Sequence, residues 1–279
     1  MQPRTPKGHP MQFPEIKPYI FKIGTLEVRW YGLMYILGFL AAYLIAVSDA
    51  KRKKLPLTKD DIADLIFALA VGLIVGARVG YALFYNVSYY LANPFKVFAV
   101  WEGGMSFHGG LIGCVIAALY FSRKKKIGFF QIADLITPAA PIGLGLGRLG
   151  NFINGELYGR ITDVSWGIVF PTGGPLPRHP SQLYESFLEG PVLFFILWLV
   201  RRSKAPVGVV LWVFLAFYGL FRSFVELFRE PDQQLGFLFG SFTMGQMLSI
   251  PLFLFGVAMV VFSYRKEAKS GQQKKRPAK

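Results

Sequence analysis

YGLMYILGFLAAYLIAVS, residues 31–48, is followed two positions later by Lys51-Arg52-Lys53-Lys54. Those 18 residues carry no charge. Coiled as an α-helix, a run of that length covers about 27 Å, close to the ~30 Å of hydrocarbon in a bilayer. The basic stop immediately after it is what the cytoplasmic side of a membrane span collects. Composition extends this reading to the whole chain. Of the 279 residues, 53% are hydrophobic, 16% aromatic and only 17% charged, where a soluble domain carries about 25% charge. The net charge of +15 would suit nucleic acid if it formed one patch. The basic residues sit instead in short runs between apolar segments, so nucleic acid is excluded as a partner.

Working outward from residues 31–48, seven spans emerge. The second covers about 62–85, entered through Thr58 with Asp61 three residues on, the spacing of a capping box. An aromatic, amphipathic stretch over 89–101 suits a membrane interface. The third span starts near His108 and ends at Arg123-Lys124-Lys125-Lys126. The fourth runs over 129–146, interrupted by Pro138 and Pro141. The fifth (183–200) ends at Arg201-Arg202-Ser203-Lys204, the sixth covers 207–228 and the seventh 244–264. Residues 148–180, polar and glycine-rich with Pro171, Pro175 and Pro177, form a small head outside the spans. The expected organisation is one membrane domain over 1–264 and a basic tail over 265–279.

Charge tests this arrangement. Residues 51–59, 123–126, 201–204 and 265–279 hold 19 of the 31 Lys and Arg, and all four segments fall on one side only if there are seven spans with the N-terminus outside and the C-terminus inside. The first thirty residues hold prolines (Pro3, Pro6, Pro10, Pro14, Pro18) and charges rather than the apolar core of a signal peptide, so the first span reads as retained. Cys114 is the single cysteine and lies in an apolar run. That rules out an intramolecular disulfide, and the residue reads as packing. No internal repeat supports a transporter of inverted halves.

In this topology the unusual polar residues lie towards the outer side: Tyr31, His108, Arg148, Asn151, Arg222 and Glu226. Each also has a plain structural explanation. Arg222 and Glu226 are four apart, the spacing of a helical ion pair, although charge inside an apolar helix is more often functional. Arg148 could anchor a span end, yet it stands among glycines and amides. Arg78, deep in the second span, must face the bundle and a partner. His108 could cap a helix or bond a carbonyl. The adjoining Gly109-Gly110 would let a backbone or a ligand come close, and an imidazole at the interface can accept a proton near neutral pH. No pair of histidines has metal spacing, so no metal is expected. Gly143-Leu144-Gly145-Leu146-Gly147 lacks the lysine and the strand of a nucleotide loop and reads as close helix packing.

Five segments together resemble the prolipoprotein diacylglyceryl transferase family: Arg29-Trp30-Tyr31-Gly32-Leu33-Met34-Tyr35, Gly103 to Leu111 around Ser106-Phe107-His108-Gly109-Gly110, Gly147-Arg148-Leu149-Gly150-Asn151-Phe152-Ile153-Asn154-Gly155-Glu156, Arg178-His179-Pro180-Ser181-Gln182-Leu183-Tyr184-Glu185, and Phe221-Arg222 through Glu226 to Arg229-Glu230-Pro231-Asp232. The stretch between Gly159 and Arg178 is shorter than in some relatives. The resemblance implies an all-α polytopic enzyme of the bacterial cytoplasmic (inner) membrane, N-terminus periplasmic, C-terminus cytoplasmic, its active site facing the periplasmic leaflet. Its reaction moves the diacylglyceryl group of phosphatidylglycerol onto the lipobox cysteine of a prolipoprotein signal peptide, forming a thioether and releasing glycerol phosphate, without a cofactor.

The resemblance also implies roles. Arg148 and Arg222 are expected to hold the phosphate and the charge that develops as it leaves. His108 is the expected general base, and Tyr31 joins these as a catalytic candidate that orients headgroup oxygens. Substrate contacts are expected from Arg148, Asn151, Asn154, Glu156, Gly159, Tyr218 and Glu226, with Glu156 and Glu226 positioning the arginines. A phospholipid hydrolase, in which water replaces the thiol, and a lipid or anion transporter are the alternatives.

Overall fold

The computed structural model describes residues 11–24, 26–230 and 242–274. His9, Pro231, Asp232 and the last five residues of the basic tail lie outside them. The chain is mostly helical. Three short strands, β1 (Met11–Gln12), β2 (Tyr19–Ile23) and β3 (Leu26–Arg29), precede α1 (Trp30–Arg52), α2 (Lys59–Phe84), α3 (Val87–Ala92), α4 (Phe107–Lys125), α5 (Phe129–Ile136) and α6 (Ala140–Ile153). Strand β4 (Ile168–Val169) follows, then α7 (Ser181–Phe187), α8 (Leu193–Arg202), α9 (Val209–Val225) and α10 (Met244–Lys274).

Five helical stretches among the described residues are long and apolar enough to cross a membrane: Trp30–Arg52, Lys59–Phe84, Phe129–Ile153, Ser181–Arg202 and Met244–Ser270. Helix α9 is apolar but has only 17 residues. Helix α4 has 19, yet His108, three glycines and a basic last turn lower its apolarity. Large apolar side chains stand exposed along the helices, among them Ile36, Phe67, Leu83 and Leu254. Exposure of that kind marks a surface that meets lipid rather than water.

Residues 42–136 form one compact unit. Thr58 opens α2 with the expected capping box: its hydroxyl accepts the Asp61 N–H at 3.1 Å, and the Asp61 carboxylate accepts the Thr58 N–H at 2.9 Å. Helices α2 and α4 cross with their backbones almost touching. A methyl group added to Gly76 would strike the Gly109 carbonyl, and one at Gly72 would come within 2.6 Å of the Gly113 carbonyl. Lys125, at the end of α4, pairs with Asp61 at the start of α2. Cys114 packs beside the core of Leu65, Leu69, Phe121, Ile132 and Leu135.

Residues up to 41 and from 137 onward form the second unit. Pro138 and Pro141 fall in the 3₁₀ turn and the first turn of α6, where a missing N–H costs nothing, so the helix restarts and runs on to Ile153. Arg148 and Asn151 therefore lie within α6, not in a head segment beginning at 148. The polar segment beyond it also departs from an all-helical expectation. Strand β1 pairs in parallel with β4, and Phe13, Phe152, Tyr158 and Phe170 stack around it. Arg178 ties the segment together, donating to the Gly173 carbonyl at 2.8 Å, the Gly159 carbonyl at 3.2 Å and the Glu230 carboxylate at 2.9 Å.

Candidate functional site

The site in the second unit is built around one helix crossing. Pro191 cannot donate in a regular helix, and between α7 and α8 the chain takes a π-turn at Leu188–Val192, with Gly190 in a non-helical conformation (ψ −106°). Turns of this kind are frequent at functional positions. The turn brings Gly190 against Gly145 of α6: a Cβ on Gly145 would sit 2.9 Å from the Gly190 Cα. Ser186 holds the crossing by donating to the Gly145 carbonyl at 2.9 Å. One helical turn beyond Gly145, Arg148 arrives beside Glu185 and Glu189, which are themselves four residues apart.

Glu185 is the hub. Its Oε2 lies 2.5 Å from Nε of Arg148, and its Oε1 accepts from Arg222 at 2.6 Å and from Arg229 at 3.0 Å. Glu226 pairs with Arg222 at 2.5 Å and lies 3.8 Å from Arg229, while its other oxygen accepts from the Thr243 hydroxyl at 2.8 Å. Glu189 lies 3.7 Å from Arg148. Both Glu185 and Glu189 are 0% exposed. Burying a carboxylate costs several kcal/mol unless cations repay it, and here three guanidinium groups surround it.

Tyr218, one turn before Arg222 on α9, is within electrostatic reach of Glu189, Arg222, Arg148 and Glu185. Beside the crossing runs an apolar groove of 300 Å³ lined by Ile142, Leu146, Leu149, Pro191 and Phe194, among others.

The end of α6 makes a second constellation. Gly155 takes a left-handed conformation (φ +67°), which folds the chain back. Glu156 then accepts from Asn151 at 2.8 Å and from Asn154 at 3.2 Å. Among the described residues Glu156 thus holds the two asparagines and pairs with no arginine. The Tyr31 ring lies across Gly150, where a Cβ would come within 2.7 Å of it. Gly159 bridges to Arg229 in antiparallel fashion, with the Phe228 carbonyl filling the space a side chain would need.

The second unit thus gathers Arg148, Arg222 and Glu226 in the cluster around Glu185, with Tyr218 one turn before Arg222 on α9. Asn151 lies on the last turn of α6, Asn154 and Glu156 lie just beyond it, and Tyr31 of α1 lies against Gly150. His108 belongs to the first unit, as the second residue of α4. Ser106 caps that helix, accepting the Gly109 N–H at 3.3 Å. Gly109 and Gly110 both face α2, so close backbone packing accounts for the pair. Arg78 is structural: it donates to the carbonyls of Lys96 at 2.6 Å, Val97 at 3.0 Å and Gly103. Of the glycine run at 143–147, Gly145 makes the close contact, while Gly147 faces open space.

Sequence reasoning gave no role to Glu185, Glu189 or Arg229. The signal for the two glutamates was present: anions four apart inside the apolar stretch 183–200 require buried cations.

The profile of the family described as prolipoprotein diacylglyceryl transferase matches residues 18–262. A phosphatidylglycerol–prolipoprotein diacylglyceryl transferase of Geobacter sulfurreducens is 66% identical over 257 residues, covering 92% of this chain and 99% of that protein. One of the same name from Vibrio cholerae is 53% identical over 262 residues, covering 94% and 96%. Another, from Pseudoalteromonas atlantica, is 53% identical over 258 residues, covering 91% of each chain. By its sequence, this chain belongs to the prolipoprotein diacylglyceryl transferase family.

Proposed function

We propose that this chain transfers the diacylglyceryl group of phosphatidylglycerol to the lipobox cysteine of prolipoprotein signal peptides. The observation that carries the reading is the convergence of Arg148 and Arg222 on one buried carboxylate, 2.5 and 2.6 Å from it, beside an apolar groove. A lipid phosphate needs fixed cations, and its acyl chains need hydrocarbon. The reaction forms a bond between the cysteine sulfur and the glycerol carbon and breaks that carbon's bond to the phosphate oxygen. Glycerol phosphate leaves with the electron pair, and the thiol proton passes to a base. Guanidinium groups aimed at the departing phosphate oppose the charge that develops there. A free thiol is only a few per cent ionised at neutral pH, so a base contributes about 10²–10⁴-fold. His108 is our choice for that base, on the strength of its motif. Tyr31, with Asn151 and Asn154 held by Glu156, orients headgroup oxygens, and Gly159 and Tyr218 border the same site.

The topology we propose has seven spans, α4 and α9 supplying the third and sixth. At 17 residues α9 covers about 26 Å, within reach of a locally thinned bilayer. The placement of 19 Lys and Arg in four segments supports an N-terminus outside the cytoplasmic membrane and a catalytic site in its periplasmic leaflet.

The test uses purified protein, phosphatidylglycerol labelled in its acyl chains, and a lipobox peptide. Label should appear on the peptide only when its cysteine is present. Glycerol phosphate released at the same rate without peptide would make the chain a hydrolase and overturn the reading.

A further inference from the structure

Three guanidinium groups (Arg148, Arg222, Arg229) meet three carboxylates (Glu185, Glu189, Glu226) in the buried cluster. Fixed charge there is balanced without lipid. A phosphodiester monoanion that enters between the arginines adds one negative charge in a medium where an uncompensated charge is costly. Uptake of one proton restores the balance. The three carboxylates are not equivalent as its recipient. Glu185 and Glu226 accept hydrogen bonds from Arg222, Arg229 and Thr243, and protonating either would remove the charge that strengthens those bonds and pairs with the arginines at 2.5 to 3.0 Å. Neither oxygen of Glu189 accepts a hydrogen bond from any described residue, although the side chain is fully buried. Its contact with the cluster is the ion pair to Nε of Arg148, at 3.7 Å. The groups that face it are Arg148 from α6, Glu185 from α7, Tyr218 and Arg222 from α9, and Arg229 beyond α9.

We propose that Glu189 is a proton-linked positioning residue: it steadies Arg148 in the absence of lipid and takes up a proton from water when the anionic headgroup binds. The proposal rests on the function proposed above and deepens it, because it makes headgroup binding pH-dependent before any chemistry occurs. The π-turn serves this arrangement. It keeps Glu189 on the face of Glu185 while Gly190 lets α6 approach closely enough for Arg148 to lie between the two carboxylates.

The test is calorimetric binding of phosphatidylglycerol, without peptide, to the full-length protein in detergent, in buffers of differing ionisation enthalpy. Wild type should take up a proton with each lipid, approaching about one where Glu189 is ionised in the free protein, and its affinity should then fall up to about tenfold per pH unit. Glu189→Gln, which carries the neutral form's shape, should bind with uptake near zero and a flat pH profile. Equal uptake in the two proteins would overturn the proposal. So would wild type binding without uptake anywhere between about pH 6 and 9, a result that needs no variant to fold. Cysteine-dependent transfer on the same wild-type preparation separates the two readings. Its loss with proton uptake intact would refute the proposed activity, and its presence without uptake would refute the role of Glu189.

Discussion

Replacing Glu185 by Gln should be the most damaging isosteric change in the molecule. The substitution keeps size and shape but removes the charge shared by Arg148, Arg222 and Arg229 at 2.5, 2.6 and 3.0 Å. Breaking a buried pair by deleting one partner costs about 3–5 kcal/mol. Three such costs do not add, because the guanidinium groups share neighbours. Arg222 keeps Glu226 at 2.5 Å, whereas the carboxylates left to Arg148 and Arg229 among the described residues lie at 3.7 and 3.8 Å. The low end, about 3 kcal/mol, is therefore expected, roughly two orders of magnitude in the folded fraction. Transfer should fall on the order of 10²-fold as well, since Arg148 loses its nearest fixed anion and reacting groups tolerate little misplacement. The assay pairs the fraction surviving graded heating in detergent with cysteine-dependent transfer measured where the variant is still folded. Adding Arg229→Met should return part of the stability, by deleting an uncompensated cation, but none of the rate. A Glu185→Gln protein that survives heating like wild type and transfers within about twofold would show that the arginines do not depend on a common carboxylate.

His108→Gln should slow transfer by about 10²-fold or more, with loss of the acidic limb of the pH–rate profile; an unchanged profile would remove it as the base. Gly76→Leu should separate α2 from α4, because its side chain must enter the space of the Gly109 carbonyl; the expected loss is about 1–3 kcal/mol, read as earlier aggregation on heating. Burial and the neighbouring Arg160 hold His179 below its ordinary value of 6.5, against a weaker opposite pull from Asp163. Between those two values the unfolded chain binds the proton and the native chain does not. Stability is therefore intact above about pH 6.5 and declines as pH falls towards the depressed value. His179→Asn should flatten that decline in melting temperature, and an identical slope in both proteins would exclude His179 as its source.

How much of this was legible beforehand depended on sequence separation. The capping box at Thr58 is local, and the helix begins where it says. The pairing of Arg222 with Glu226 follows from helical spacing alone. Glu185 lies 37 positions from either of its two nearer arginines, Arg148 and Arg222. An apolar stretch holding two anions announces that partners exist but not which ones. Glycines are ambiguous for a related reason. The same absence of a side chain admits a ligand, a reversed turn or a second helix, and only the neighbour decides. At Gly109 the neighbour is α2, at Gly155 the requirement is a positive φ, and at Gly145 it is Gly190. The fourth span, expected to stop at 146, moved at its far end, because the helix that restarts at the prolines interrupting it runs on to Ile153. Pro138 and Pro141 occupy positions where a helix starts, and the shift of its end to Ile153 carries Arg148 and Asn151 onto a rigid helical face.

That shift has a mechanistic consequence. On a loop, Arg148 would follow its ligand, and an incoming phosphate would have to order it. On α6, its backbone is fixed by the Gly145–Gly190 crossing, and its side chain is already committed to Glu185 at 2.5 Å. A phosphate must then compete with carboxylates for a guanidinium that does not move far. The outcome depends on charge balance within the cluster more than on conformational search. Binding should accordingly respond more to pH and to neutralising a carboxylate than to loosening the head. Substitutions at Tyr158 or Phe13, which pack the head 5.1–5.4 Å from Phe170, should alter stability and leave the affinity for phosphatidylglycerol nearly unchanged. A weakened affinity in a folded head variant would mean that the lipid site extends into that segment.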